Sequence, residues 1–406
     1  MSRRLRPAVV LAAVLALPGI SGGAGPVRPA AGWKPLDPPA VAGSLSPNLS
    51  LAGGEVTLTW LEPLVDPKGR QTHRLRVSRL SGGRWSAPAT AAAGPDFFAN
   101  WADFPGLIQS PDGALLVFWL ARTTGGGDYD YAVHLARSTD GGRTWKPAGV
   151  LHDDGIPAEH GFVAWVPEGK SVRAFWLDGR ETKSGGAMTL RTATVTDKAG
   201  ASERLDARIC DCCQTDAAVA ADGPVVVYRD RSDDEIRDIS IIRRTAAGWS
   251  RPARVHADEW KIPGCPVNGP AVAAAGRKVA VAWFTGAPPG AQVQVAFSED
   301  GGARFGAPVR IDAGKPLGRV DVALAPDGSA VVSWLELLEG GRAAVRLRRV
   351  RNGKAGEPVE IARTGSARAS GFPRLLLAGD RLHLSWVEDG DAARLHAGSL
   401  PLASIP

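Results

Sequence analysis

One unit recurs along this chain and limits what the chain can fold into. An apolar run ending in a large aromatic appears as VTLTWLE, LLVFWLA, VRAFWLD, VVVYRD, VAVAWFT, AVVSWLE and LHLSWVE, centred on Trp60, Trp119, Trp176, Tyr228, Trp283, Trp334 and Trp386. The spacings of 59, 57, 52, 55, 51 and 52 residues are those of one supersecondary unit repeated seven times. Each unit holds four short β-patterned runs divided by Gly, Asp, Asn or Pro, as in PAVAAAG, KVAVAWF, VQVAFS and RFGAPVRI. Four-stranded units of about 50 residues in radial array make a β-propeller. The last unit, GFPRLLLAG, RLHLSWVED and ARLHAGSL, has only three strands, and GWKPLDPP near the N-terminus matches the fourth-strand pattern RWSAP, TWKPA, GWSRP and RFGAP. The sequence therefore predicts an all-β fold over residues 25–406: a seven-bladed β-propeller of four-stranded antiparallel blades. Its ring is closed by an N-terminal strand near residues 32–40 that completes the last blade.

The first 24 residues read as a secretory signal: Arg3, Arg4 and Arg6, an apolar run of about 14 residues, then small residues up to Ala24. That run is too short to cross a bilayer, which takes about 20, so the expectation is an exported protein, periplasmic or extracellular, without a membrane span. SRRLR is compatible with either general or twin-arginine export. Removing three arginines and no acid lowers the formal net charge from +6 to +3. With few aromatics and no basic run, this excludes a nucleic-acid partner.

STDGGRTW, Ser138 to Trp145, fits the pattern Ser-x-Asp-x-Gly-x-Thr-Trp at every defined position; SEDGGARF at 298–305 and SRLSGGRW at 78–85 are worn copies. The chain thereby resembles the Asp-box (BNR-repeat) propellers of the sialidase-like superfamily over its whole mature length. The resemblance implies that these turns lie on the face away from the active site. It also implies the chemistry of a sialidase-type site: three arginines clamping a substrate carboxylate, a Tyr with a partner Glu as nucleophile, and an Asp as acid/base.

The other face carries the lead-in to each innermost strand and the loop between second and third strands. There the sequence gathers Trp101, Asp103, Asp178, Arg180, Arg229, Asp230, Arg231, Asn268, Arg319 and Arg374 as ligand-binding candidates, with Asp321 beside them. Tyr228 occupies the position of the repeated Trp and reads as core, while His73, His134, His383 and His396 fall in strand patterns and read as framework.

Four cysteines remain. Cys210, Cys212 and Cys213 precede TDAAVAADG as Cys265 precedes NGPAVAAAG, so they meet on this face between adjacent blades four and five. Three readings stay open. They form two disulfides, with Cys210–Cys213 and Cys212–Cys265 avoiding the strained vicinal ring. They hold copper or zinc with His160 assisting. They provide a redox-active thiol pair.

Two functions compete. A sialidase-type hydrolase would use Asp103 or Asp178 as the acid and Tyr129 or Tyr131 as the nucleophile, but the first-blade Phe-Arg-Ile-Pro motif is missing and no Glu is evident beside either tyrosine. The alternative, which uses the cysteines and needs no catalytic pair, is an exported monomeric protein that holds an acidic glycan, a metal ion or a protein partner on its Arg- and Cys-lined face. The sequence favours this binding function, and with it little or no activity on simple sialosides.

Overall fold

The computed structural model describes residues 28–390 and 393–406; the signal at 1–24 lies outside them. Seven antiparallel sheets form a ring in chain order. Their innermost strands are Leu45–Ala52, Gly106–Gln109, His160–Glu168, Asp216–Ala220, Ala271–Ala275, Pro316–Leu324 and Arg374–Ala378, for blades one to seven. Each innermost strand packs beside that of the next blade, and the seventh returns to the first. Among the described residues helix is confined to four short 3-10 turns.

The second strand of each blade carries the repeated aromatic, and its register does not drift. Trp60, Trp119, Trp176, Tyr228, Trp283, Trp334 and Trp386 sit opposite Arg76, His134, Arg191, Ser240, Gln294, Arg346 and His396 of the third strands. These second strands are covered by the neighbouring blades on both faces, so they are apolar without alternation. Val225 to Val227 and Val279 to Ala282 are at most 1% exposed. Trp60, Trp176, Tyr228, Trp283 and Trp334 are wholly or almost wholly buried. A buried indole N–H needs an acceptor: Trp176 donates to Asp178 (2.8 Å), Trp283 to Asp258 (2.7 Å) and Trp334 to Glu336 (2.6 Å). Asp178 and Glu336, two residues after their aromatics, therefore belong to the framework; Glu62, in the same position after Trp60, pairs instead with Arg74 and Arg76 and leaves the indole N–H without a partner among the described residues.

The turns between third and fourth strands fall on the face opposite the lead-in segments. In that of blade two Asp140 accepts the backbone N–H groups of Arg143 and Thr144 and the Thr144 hydroxyl, while Ser138 accepts the Gly142 N–H. Gly141 and Gly142 have φ of 77° and 83°, a region closed to most side chains. Ser298, Asp300 and Gly302 repeat this arrangement in blade five.

Blade seven is completed from the other end of the chain. Lys34–Pro35 pairs with Ser399 and Gly398, Leu36 donates to the Ala397 carbonyl (2.8 Å), and the Ala397 N–H returns to Asp37 (3.1 Å). Trp33 lies against Trp386 and over Gly398, where any side chain would collide with the indole. The N-terminal segment goes further than the sequence suggested: Arg28–Pro29 adds a parallel strand to Val359–Glu360 of blade six. Closure is thus spread over two blades. Trp33→Ala is expected to cost about 2–3 kcal/mol of unfolding free energy, because a half-buried indole at the seam is removed; a urea titration showing an unchanged midpoint would contradict that role.

Candidate functional site: the upper rim of blades two to four

Three oxygen-bearing side chains converge where blades two and three meet. Tyr131 opens the third strand of blade two and pairs as an isolated parallel bridge with Glu159, in the lead-in to blade three. Its hydroxyl donates to Glu159 Oε1 (2.9 Å) and also reaches Asp103, in the lead-in to blade two. Asp103 Oδ2 accepts the Phe162 N–H across the seam (2.8 Å). Gly161 makes room: a side chain there would collide with Asp103 and lie 2.9 Å from the tyrosine ring. Glu159 is thus the Glu beside a tyrosine that the sequence does not make evident.

Burial sets the protonation of this group. Asp103 is pushed up to about 8, first by loss of water and then by the Glu159 charge, against the opposing hydrogen bonds from Phe162 and Tyr131. Glu159 is pushed up to about 7, again first by burial and then by the charges of Asp211 and Asp130. Tyr131 is raised well above its ordinary value by burial and by both carboxyls. Near neutral pH the cluster therefore holds protons that ordinary carboxylates release. Tyr131 and Asp103 are buried, at 0% and 3% exposure, while Glu159 reaches the surface.

The candidate arginines are occupied. Arg229, 1% exposed, donates to the carbonyls of Asn268, Arg237 and Phe284 and lies under Trp260. Arg319 donates to the carbonyls of Ala367 and Gly371 and stacks on Trp101, whose ring also packs on Phe372. Arg180 is held by Asp178 (2.8 Å), Asp153 (3.0 Å) and Asp154 (3.1 Å), and Arg231 by Glu235 (2.8 Å) and Asp211 (3.4 Å). Asp178, wholly buried between Trp176 and Arg180, is framework and not an acid facing a ligand. Asp230 accepts the Ser240 hydroxyl, Asn268 accepts the Arg319 N–H, and Tyr129 is 64% exposed beside Phe98.

Only Arg374 faces the central channel, a cavity of about 340 Å³ lined by Asn48, Ile108, Trp165, Asp216, Asp321 and Arg374 among others. There it meets Asp321 (3.3 Å) and Asn48 (3.1 Å). Asp216 is pushed up to about 7 by burial and by the Asp321 charge, which outweigh Arg374.

The four cysteines do meet. Cys212 and Cys265 form a disulfide with Cα atoms 6.1 Å apart, joining blades four and five, and Cys210 and Cys213 are buried thiols 3.4 Å apart. His160 does not join them: its ring nitrogens face Asp154 (3.1 Å) and the Ala158 carbonyl (3.1 Å), and its ring stacks on His152. With Cys212 bonded, two free sulfurs fall short of the four-ligand set that zinc takes.

No family model matches this chain, and no curated protein matches it. Solved structures do match over nearly the whole length. They include a protein of unknown function from Dyadobacter fermentans (17% identity, 92% of this chain and 98% of that one, TM-score 0.51). An α-L-arabinanase from Penicillium chrysogenum complexed with arabinobiose is similar at 14% identity (93% and 99%, TM-score 0.51). An ulvan lyase shares 11% identity (91% and 94%, TM-score 0.54). At these identities the likeness shows the fold, a seven-bladed propeller that carbohydrate-active enzymes also adopt.

The Asp103 pKa gives a signed prediction. Between its unfolded value of 3.8 and its folded value of about 8 the folded chain holds a proton that the unfolded chain releases. Its contribution is therefore full below pH 3.8 and is lost as pH rises through 8. Asp103→Asn keeps the acceptor for Phe162 and removes the titration. Its melting temperature should rise relative to wild type as pH goes from 4 to 8; a difference that stays flat, or runs the other way, contradicts the assignment.

Proposed function

We propose that the protein is a glycan-processing propeller whose reacting groups lie on the rim between blades two and three, with Glu159 as the general acid/base that a substrate meets. The observation that carries this is the Asp103–Tyr131–Glu159 chain. A glycosidic oxygen leaves poorly unless it is protonated, and a carboxyl tuned to about 7 holds and returns a proton near neutrality. Behind Glu159, the Tyr131 hydroxyl and the protonated Asp103 form a reserve from which the proton is restored. Asp211 and Asp130, whose charges raise Glu159, supply carboxylates on the same rim.

The resemblance to sialidase-like propellers supports a Tyr, Glu and Asp together, and the glycan-active enzymes that share the fold point the same way. The substrate differs from a sialoside: Arg180, Arg229, Arg231 and Arg319 are committed within the protein, so these candidates do not make a free three-arginine clamp. A glycan without a carboxylate at the reacting sugar fits better than an acidic one. The Cys212–Cys265 disulfide is compatible with an exported protein, and no helix among the described residues is long and apolar enough to cross a membrane.

The test is a panel of aryl glycosides, neutral and sialylated, with reducing-sugar release from arabinan and ulvan. Turnover of a neutral substrate is expected to fall about 100-fold or more in Glu159→Gln and substantially in Tyr131→Phe, with folding retained. Binding without turnover across the panel would return the protein to the class of glycan-binding propellers. Efficient sialoside turnover would overturn the substrate assignment.

A further inference from the structure

The cysteine cluster has an arrangement that two structural bridges do not require. Its disulfide lies outermost: Cys265 is exposed, in a cleft of about 290 Å³ lined by Asp211, Arg231, Glu235, Arg237 and Pro263. Its dithiol lies beneath, with Cys210 and Cys213 each 1% exposed. The Sγ atoms of Cys210, Cys212 and Cys213 all fall within 4.8 Å of one another, so the buried thiols stand next to one end of the surface bridge. Arg237 donates to the Cys210 sulfur (3.2 Å), and Arg229 lies close behind. We propose that the four cysteines form a thiol–disulfide relay, in which the buried Cys210/Cys213 dithiol reduces an external disulfide through the exposed Cys212–Cys265 bridge.

The steps balance. Cys210, as the thiolate, attacks Cys212 Sγ; the Cys210–Cys212 bond forms, the Cys212–Cys265 bond breaks, and the electron pair leaves on Cys265, which takes a proton from water. Cys213 gives its proton to water and attacks Cys210, forming the Cys210–Cys213 bond and releasing Cys212 as a thiolate. The surface pair then attacks the external disulfide. Cys265 displaces one external thiol, and Cys212 displaces the second and restores the original bridge. The buried pair, a Cys210 thiolate and a Cys213 thiol, is oxidised by two electrons, one external disulfide is reduced to one thiol and one thiolate, and the single proton of Cys213 passes by way of water and Cys265.

The local electrostatics assign the roles. The hydrogen bond from Cys213, then the charges of Arg229 and Arg237, pull Cys210 below the ordinary thiol value, making it the attacking thiolate. Burial holds Cys213 up as the thiol that resolves it. The external partner is any disulfide that can reach the cleft, whether small molecule or protein; dithiobis(nitrobenzoate) serves as the probe because each thiolate it releases is coloured.

The full chain in its state of one bridge and two thiols is mixed with the probe in native buffer, then acid-quenched, alkylated and mapped. Wild type should release two equivalents and end with Cys210–Cys213 and Cys212–Cys265 both bonded. Cys213→Ser should release one equivalent and stop with a Cys210–Cys212 bridge and an aromatic adduct on Cys265. The double variant Cys212→Ser/Cys265→Ser, which lacks the outlet, should react at least about 100-fold more slowly. The relay is overturned if wild-type thiols stay silent until the protein is denatured, if the double variant reacts as fast as wild type, or if release begins only after a chelator removes bound metal.

Discussion

The ring depends on buried side-chain acceptors that take a backbone N–H from the next blade. Asp103 holds Phe162 of blade three, Asp216 holds Val272 of blade five (2.7 Å), Asn268 holds Arg319 of blade six, and Asp321 holds Leu375 of blade seven (2.9 Å). Gln214 ties the Ala102 carbonyl on one side to the Gly269 N–H on the other. Sheets packed face to face by apolar contacts alone could slide; a hydrogen bond buried from water fixes their relative height, because breaking it leaves two polar groups unsatisfied. Asp103, Gln214 and Asn268 sit in the lead-in to an innermost strand, Asp216 opens one and Asp321 lies within one. The backbone there is unusual as well, with positive φ at Ser46, Phe162, Val267 and Arg319.

That placement gives the candidate site its chemistry. A carboxyl used as a lashing has to be buried, burial raises its affinity for a proton, and Asp103 shares that proton with Tyr131 and Glu159 instead of with a cation. At the equivalent point of blade four stands Cys213, whose sulfur accepts the Asn268 N–H. The proton-holding cluster and the thiol cluster therefore occupy the same structural slot two blades apart, each built from a side chain that also joins neighbouring sheets.

Much of the fold was legible in the chain because its repeat is written in side chains that the register keeps aligned: one aromatic per blade, each opposite the same point of the third strand. The closure at Lys34–Pro35 was legible from a missing strand and a matching pattern. The meeting of the four cysteines followed from equal positions in adjacent repeats. Glu159 was not legible, because its pairing with Tyr131 crosses from one blade to the next, and HGFVAW after it draws attention to the histidine. Its one signal is an acid immediately before an innermost strand. The arginines misled for a related reason: sequence places Arg229 and Arg319 at the rim but cannot show that their guanidinium groups turn inward to backbone carbonyls.

The strand near Trp33 also bears on how the molecule comes into being. Asp37 meets His396 and Ala397 across a sequence separation of about 360 residues, so the strand at 34–37 has no sheet partner until the last blade has been made. Contacts between distant parts of a chain form slowly, since a long loop must close before they reward it. Six blades can assemble in order as they emerge, each on the one before and the sixth taking up residues 28 and 29, while the strand at 34–37 waits with its hydrogen-bonding groups open. The time between synthesis of blade seven and capture of that segment is when an unpaired sheet edge is most available to another chain, and the exposure ends in one step once residues 34 and 35 settle against 398 and 399.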